Sequence, residues 1–311
     1  MNLLYLSSGM FLGWSLGAND AANVFGTAVS SRMVRYRTAV LLTALFVILG
    51  AYLEGVQGIK TLSNLTSQNL LSAFIVAVSA AIAVTMMTAF KLPVSTSQAV
   101  VGAIIGIGIS NSQFNFQGLT KVVLCWVGTP FGAILIAILL YFLLSNILNR
   151  LNLSLVSLDF ILRTGLVLGG AYGAYALGAN NVANVTGVFA NTIGLSPHLL
   201  AIIGAVSISI GVITYSKNVM YTIGKKLVPL DAFSALVAIL AEAVTVHIYA
   251  KIGVPVSTSQ AIIGAVIGIG IIKGMRTINI KTLFSIMIGW VSTPLISGII
   301  SFALISFILG K

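Results

Sequence analysis

Residues 93–109 read PVSTSQAVVGAIIGIGI, and residues 255–271 read PVSTSQAIIGAVIGIGI. The only differences are three Val/Ile exchanges. A second pair stands upstream of each copy: GANDAAN at 17–23 and GANNVAN at 178–184. A third follows downstream: Trp126-Val127-Gly128-Thr129-Pro130 and Trp290-Val291-Ser292-Thr293-Pro294. The three pairs are offset by 161, 162 and 164 residues, so one module of about 150 residues is written twice, over 1–150 and 151–311. Duplication in an apolar chain, with polar interruptions at matching places, points to a transporter with its site where the halves meet.

Composition places the chain in a membrane. It is 58% hydrophobic and 7% charged, with a mean hydropathy of +1.10. A soluble fold would carry roughly a quarter charged residues. Apolar stretches long enough to span recur at 38–53, 70–90, 131–148, 199–215 and 283–309. Segment 3–30 lacks a removable-signal pattern, having no basic start and a polar GAND inside it. The lone Cys125 excludes an intramolecular disulfide. The net charge of +11 does not indicate nucleic acid, because the bases lie in short loops between spans.

Those bases set the orientation. Arg32, Arg35 and Arg37 follow the first segment, whereas the matching loop 191–198 has no Lys or Arg. The next loop reverses the bias: residues 56–69 carry only Lys60, against Lys217, Lys225 and Lys226 in the counterpart. Lys121 alone borders 110–120, against Lys273, Arg276 and Lys281. Every basic loop in one half faces a base-poor loop in the other. By the positive-inside rule the halves run in opposite orientation, an inverted repeat. Each half reads as one broken helix, one span, a helix pair flanking the PVSTSQ break, and a final span. The linker 149–164, with Arg150 and Arg163, lies inside, and both termini lie outside.

Each PVSTSQ segment interrupts a helix. Pro93 cannot continue the one before it and biases Leu92 away from helical geometry. Ser95 before Gln98, and Ser257 before Gln260, match a capping box and start the next helix. Such an N-terminus, with free N–H groups and adjacent hydroxyls, is an anion site. Two of them meeting near mid-membrane would bring Ser95, Thr96, Ser97, Ser257, Thr258 and Ser259 around one tetrahedral oxyanion. Ser and Thr in membrane helices often bond their own backbone, but duplication in inverted halves favours the shared cage. Gly102/Gly106 and Gly264/Gly268 read as close helix packing across the repeat interface.

The GAND and GANN segments suit a hard cation. Asp20 lies in an apolar stretch, where an unpaired carboxylate costs several kcal/mol. Asn19, Asn23, Asn180, Asn181 and Asn184 add carbonyl oxygens, and oxygen-only ligation suits Na⁺. Gly17 and Gly178 allow an unwound backbone whose carbonyls could also coordinate. Glu54, at the end of the second span, joins as a candidate ligand. Glu242 has no acidic counterpart, since Ile82 occupies the matching place. Asp231 follows Pro229 as a helix N-cap. Lys91 and Lys251 snorkel to the surface. His198 and His247 have no twins, so neither reads as a shared proton relay. Trp126 and Trp290 read as membrane-interface anchors.

GANDAAN, GANNVAN and the two PVSTSQA segments resemble the signature motifs of the inorganic phosphate transporter (PiT) family, over nearly the whole chain. The resemblance implies import of inorganic phosphate coupled to Na⁺ in some members and to H⁺ in others. It implies twelve membrane helices, counting half-helices, in an inverted repeat with external termini. It implies that Asp20, Asn23, Asn181, Asn184 and the Ser/Thr residues of both breaks line the site, and Glu54 resembles a family glutamate. Two departures stand out. Asn181 occurs where many members have Asp, and Tyr215 matches Glu54. The large intracellular domain of some eukaryotic members has no equivalent between the halves.

The expectation is an all-α plasma (inner) membrane protein that imports phosphate by Na⁺ symport and alternating access. Ser95, Thr96, Ser97, Gln98, Ser257, Thr258, Ser259 and Gln260 face the anion. Asp20, Asn19, Asn23, Asn180, Asn181, Asn184 and Glu54 face Na⁺. The partners are phosphate, Na⁺ and the bilayer, with no organic cofactor or nucleic acid, and a homo-oligomer is compatible with the sequence. The alternatives are H⁺ coupling, another oxyanion such as sulfate or arsenate, and, more distantly, a cation channel. No His, Lys or Asp is spaced to activate Ser95 or Ser257, which argues against an enzyme.

Overall fold

A computed structural model describes residues 2–65, 69–89, 94–111, 116–226, 230–274 and 280–310. Among these residues there are eleven α-helices and no strand. They are α1 (Leu6–Ser30), α2 (Tyr36–Glu54), α3 (Val56–Ser63), α4 (Leu70–Ala89), α5 (Thr96–Asn111) and α6 (Phe116–Arg150). The second set is α7 (Leu155–Thr186), α8 (Pro197–Lys226), α9 (Ala232–Ile252), α10 (Thr258–Lys273) and α11 (Ile280–Leu309). Among the described residues, seven helices are long and apolar enough to cross a bilayer. The chain is an integral membrane protein. Pro93, Leu92, Lys91, Pro229 and Arg276 lie outside the described residues.

Local chemistry sets the helix starts. Asn69 Oδ1 accepts from Ser72 N at 2.8 Å ahead of α4, and Asp231 Oδ1 accepts from Ser234 N at 2.9 Å ahead of α9. Asp231 is therefore the N-cap that its position suggests. Ser95 and Ser257 cap α5 and α10, accepting from Gln98 N at 3.3 Å and Gln260 N at 3.2 Å. The α9 end is closed by Gly253 at φ 75°, with Gly253 N bonded to Ala250 O and Val254 N to Tyr249 O.

The packing is reciprocal between the two copies of the module. α1 packs on α8 and α2 on α7; α5 packs on α11 and α10 on α6; α4 lies beside α1 and α9 beside α7. The closest approaches repeat the same reciprocity. A Cβ at Gly17 would lie 1.9 Å from Ile208 O, and one at Gly178 would lie 2.1 Å from Val47 O. Both partners are offset by 161, as 178 − 17 and 208 − 47. Gly102 meets the carbonyl of Pro294 and Gly264 that of Pro130, so these glycines pack helices of opposite halves together. A side chain there would drive two backbones apart, so the small residues set the interhelical distance.

Two expectations are corrected. The GAND and GANN segments are not unwound: α1 and α7 run unbroken through them. Gly17 and Gly178 serve close backbone approach, and the helix keeps its own hydrogen bonds. The linker is also shorter than 149–164, because α6 reaches Arg150 and α7 begins at Leu155. Arg163 is already helical, paired with Asp159 one turn back and donating to Met33 O.

Candidate ion-binding site

α1 and α7 present their motifs inward. Every residue from Leu12 to Val29 except Trp14 is buried, and every residue from Ala176 to Phe189. A helix buried on all sides is central, and its polar groups must find partners inside the protein. Asn19, Asp20 and Asn23 are 1–2% exposed, and Asn180, Asn181 and Asn184 no more than 1%.

The two breaks are brought together. Ser97 Oγ donates to Val256 O at 2.9 Å, and Ser259 Oγ donates to Val94 O at 2.9 Å. Each break thus binds the backbone of the other. Each GAN motif reaches across to the opposite break as well. Asn23 Nδ2 donates to Thr258 Oγ1 at 3.2 Å, and Asn184 Nδ2 donates to Ser97 Oγ at 2.9 Å. Asn180 holds the second break twice, accepting from Val256 N at 3.0 Å and donating to Val254 O at 3.3 Å. Asn19 donates to Thr88 Oγ1 on α4.

The geometry revises the six-hydroxyl cage. The protons of Ser97 and Ser259 are engaged by opposite carbonyls. Ser257 and Ser259 bond each other at 2.8 Å, and Thr258 is hydrogen-bonded to Asp20. Among the described residues, Thr96 Oγ1 is buried without a partner. So are Asn181 Nδ2, Asn184 Oδ1, Asn19 Oδ1, and the Oε1 atoms of Gln98 and Gln260. The capping boxes are therefore half formed: each serine caps, while neither glutamine oxygen is satisfied. The N–H groups of Thr96, Ser97, Thr258 and Ser259, in the first turns of α5 and α10, have no intrahelical acceptor. A pair of N-termini with orphaned donors and acceptors, sealed from lipid, is chemically suited to an oxyanion and its counter-cation.

Glu54 is not drawn into this group. Its carboxylate takes His247 Nε2 and Lys251 Nζ at 2.8 Å each and bonds Tyr175, joining the end of α2 to the end of α9. Lys251 is thus an ion-pair partner as well as a surface base. Tyr172 shares a 2.8 Å bond with His247 Nδ1. The indole nitrogens of Trp126 and Trp290 are enclosed without partners, so these rings are packed within the protein at that edge. Sequence reasoning undervalued Glu242, which is fully buried with both oxygens unpartnered. Its signal was an acidic residue in an apolar helix with no twin.

A relative from Methanocaldococcus jannaschii, named "Putative phosphate permease MJ0630", is 31% identical over 96% of this chain and 95% of its own. "Sulfate permease CysP" of Bacillus subtilis is 27% identical over 99% of this chain and 88% of its own. A solved structure, "The sodium-dependent phosphate transporter", superposes with a TM-score of 0.86 at 23% identity, covering 99% of this chain and 98% of that one. The model of the phosphate transporter family matches residues 16–301, a stretch that takes in both GAN motifs and both PVSTSQ breaks, and the chain belongs to that family.

Proposed function

We propose that the protein is a Na⁺-coupled importer of inorganic phosphate in the plasma membrane. It is built as two inverted repeats, 1–150 and 151–311, with both termini outside and, counting half-helices, twelve membrane helices. Reciprocal packing and the alternating loop charges support the repeat. Family membership supports phosphate, and the likeness to a sodium-dependent phosphate transporter supports sodium.

The single observation that carries the reading is the meeting of the two breaks through Ser97–Val256 and Ser259–Val94. The two helix N-termini then face one another, and Thr258 at the start of α10 is bonded to Asp20. Phosphate is bound by the first-turn N–H groups, Thr96 Oγ1 and Asn181 Nδ2. Na⁺ is bound by Asp20, with the carbonyl oxygens of Asn19 and Asn23 completing its shell. Phosphate near neutral pH carries between one and two negative charges, and placing it alone at mid-membrane would be prohibitive. Each ligand is held well only with the other, and that reciprocal coupling makes the cycle a symport. The repeats rock about the site and expose it alternately.

Sulfate is the second reading, favoured by the relationship to the sulfate permease. Monoprotonated phosphate differs from sulfate in carrying an O–H. The orphaned oxygens of Asn184, Gln98 and Gln260 are acceptors for such a proton. Radiolabelled phosphate uptake into proteoliposomes tests the proposal. Uptake should follow an imposed inward Na⁺ gradient and resist excess sulfate. Uptake driven by a pH gradient alone, or sulfate uptake at equal rate, would replace it.

A further inference from the structure

Glu242 lies on α9, ahead of the second break, and is 0% exposed. Among the described residues, neither carboxylate oxygen has a hydrogen-bond partner. A Cβ placed at Gly173 on α7 would lie 3.3 Å from Glu242 Oε2 and 3.1 Å from Val24 Cγ1. Val24 stands one turn beyond Asp20 on the same face of α1. Asp20 itself is within Coulombic reach of Glu242. The carboxylate of Glu242 is therefore seated against the Asp20 face of α1, in the interior of the protein.

The surrounding groups offer no counter-charge. From α7, Tyr172 is within Coulombic reach, and its hydroxyl is bonded to His247. α6 and α10 meet this part of α9 with apolar residues, among them Ala133, Ala137 and Ala261. α3 meets the end of α9 through Gln57 and Thr61, neither titratable. Among the described residues, neither Asp20 nor Glu242 has a Lys, Arg or His partner. Two carboxyl groups at this depth, each lacking a base, are either protonated or met by cations. Both free oxygens of Glu242 are acceptors, the ligand type of a hard monovalent ion.

We infer that Glu242 is a second carboxylate ligand for Na⁺, supplied by the second half of the chain to the Asp20 side of the site. It provides the charge that Asn181 cannot. Cations then gather on the α1–α9 face and the anion on the other. This rests on the Na⁺-phosphate reading.

The test is equilibrium binding of ²²Na⁺ to the purified, lipid-reconstituted protein, together with the Na⁺ dependence of phosphate uptake. Glu242→Gln keeps the shape and removes the charge. It should bind one Na⁺ fewer per chain, with a shallower Na⁺ dependence of uptake. Glu242→Asp restores the charge at shorter reach. It should keep the wild-type count and lose roughly tenfold in Na⁺ affinity. If Glu242→Gln does not fold, Glu242→Asp alone decides, and wild-type affinity in that variant overturns the inference. An unchanged Na⁺ count in Glu242→Gln, including one accompanied by lost proton movement, also overturns it. Wild-type protein without Na⁺-dependent phosphate uptake would instead defeat the function proposed above, so the two failures are distinguishable.

Discussion

The two motif–break junctions share a backbone and differ in one functional group. In one, Asn23 donates to Thr258 and, at 3.5 Å, to Asp20 Oδ1, and Asp20 takes the hydrogen bond of the same threonine. In the other, Asn184 donates to Ser97 and to Asn181 Oδ1, while Thr96 Oγ1 and Asn181 Nδ2 stay unpartnered. A carboxylate accepts only, whereas an amide offers two donors. Exchanging Asp for Asn at twin positions puts an N–H₂ donor in one pocket where the other has an accepting oxygen. The Asp/Asn pair thus gives the two junctions different polarity.

The sharpest way to break this comparison is to exchange the two chemistries. Asp20→Asn should weaken Na⁺ binding by about ten- to a hundredfold, the loss expected when a charged partner is removed. Phosphate binding should fall with it and be partly restored by more Na⁺. Asn181→Ala should weaken phosphate binding by about tenfold, and added Na⁺ should not restore it. Titration calorimetry at several Na⁺ concentrations separates the two. If both variants respond alike to Na⁺, the junctions are not polarised. Asn181→Asp should alter the Na⁺ stoichiometry or the pH dependence of uptake.

Where the junctions are alike, their variants should be alike. Ser97→Ala and Ser259→Ala each remove one hydrogen bond to the opposite break. Each should cost about 1 kcal/mol in stability, with phosphate affinities reduced by similar amounts. Thermal melts and binding isotherms of the two single variants check this. A large loss in one and none in the other would show that the breaks are not equivalent supports.

The smallest effect sits at another Asn/Asp pair, the helix caps Asn69 and Asp231. Removing either cap should cost about 1 kcal/mol. Burial alone would push the Asp231 carboxyl up, but its bonds to Lys273 and Ser234 outweigh this and hold it below its usual value. A depressed native value means that its contribution is present above the ordinary carboxylate range. It is lost as pH falls through the lower, native value. Acid should therefore loosen the start of α9 and leave the start of α4 unchanged, as hydrogen exchange at Ser234 and Ser72 can measure.

Much of this was legible because duplication marks what matters. The breaks, their serine caps, the glycine contacts between halves and the phosphate family all followed from repeated residues. The continuity of α1 and α7 was not legible. Glycine and asparagine are weak helix formers, so GAND reads as a break. Only tertiary packing shows that Gly17 and Gly178 are needed where a Cβ would lie 1.9 and 2.1 Å from the facing carbonyl oxygen. The half-satisfied capping boxes, and the use of Ser97 and Ser259 as cross-links, depend on which groups the fold brings together. Glu54 looked like a cation ligand because its partners, His247 and Lys251, lie 193 and 197 residues away in sequence. Glu242 was undervalued because it breaks the repeat, although the loss of the carboxylate at Asn181 left a charge to be found elsewhere.

The central claim is that one anion bridges both breaks while the cations lie to one side. A cryo-electron microscopy structure with phosphate and Na⁺ bound tests it most directly. The account predicts a single tetrahedral density touching the first turns of both α5 and α10, close to Thr96 and Asn181, with cation density on the Asp20 side. Phosphate seated on one break alone, or cation density against Asn181, would contradict it.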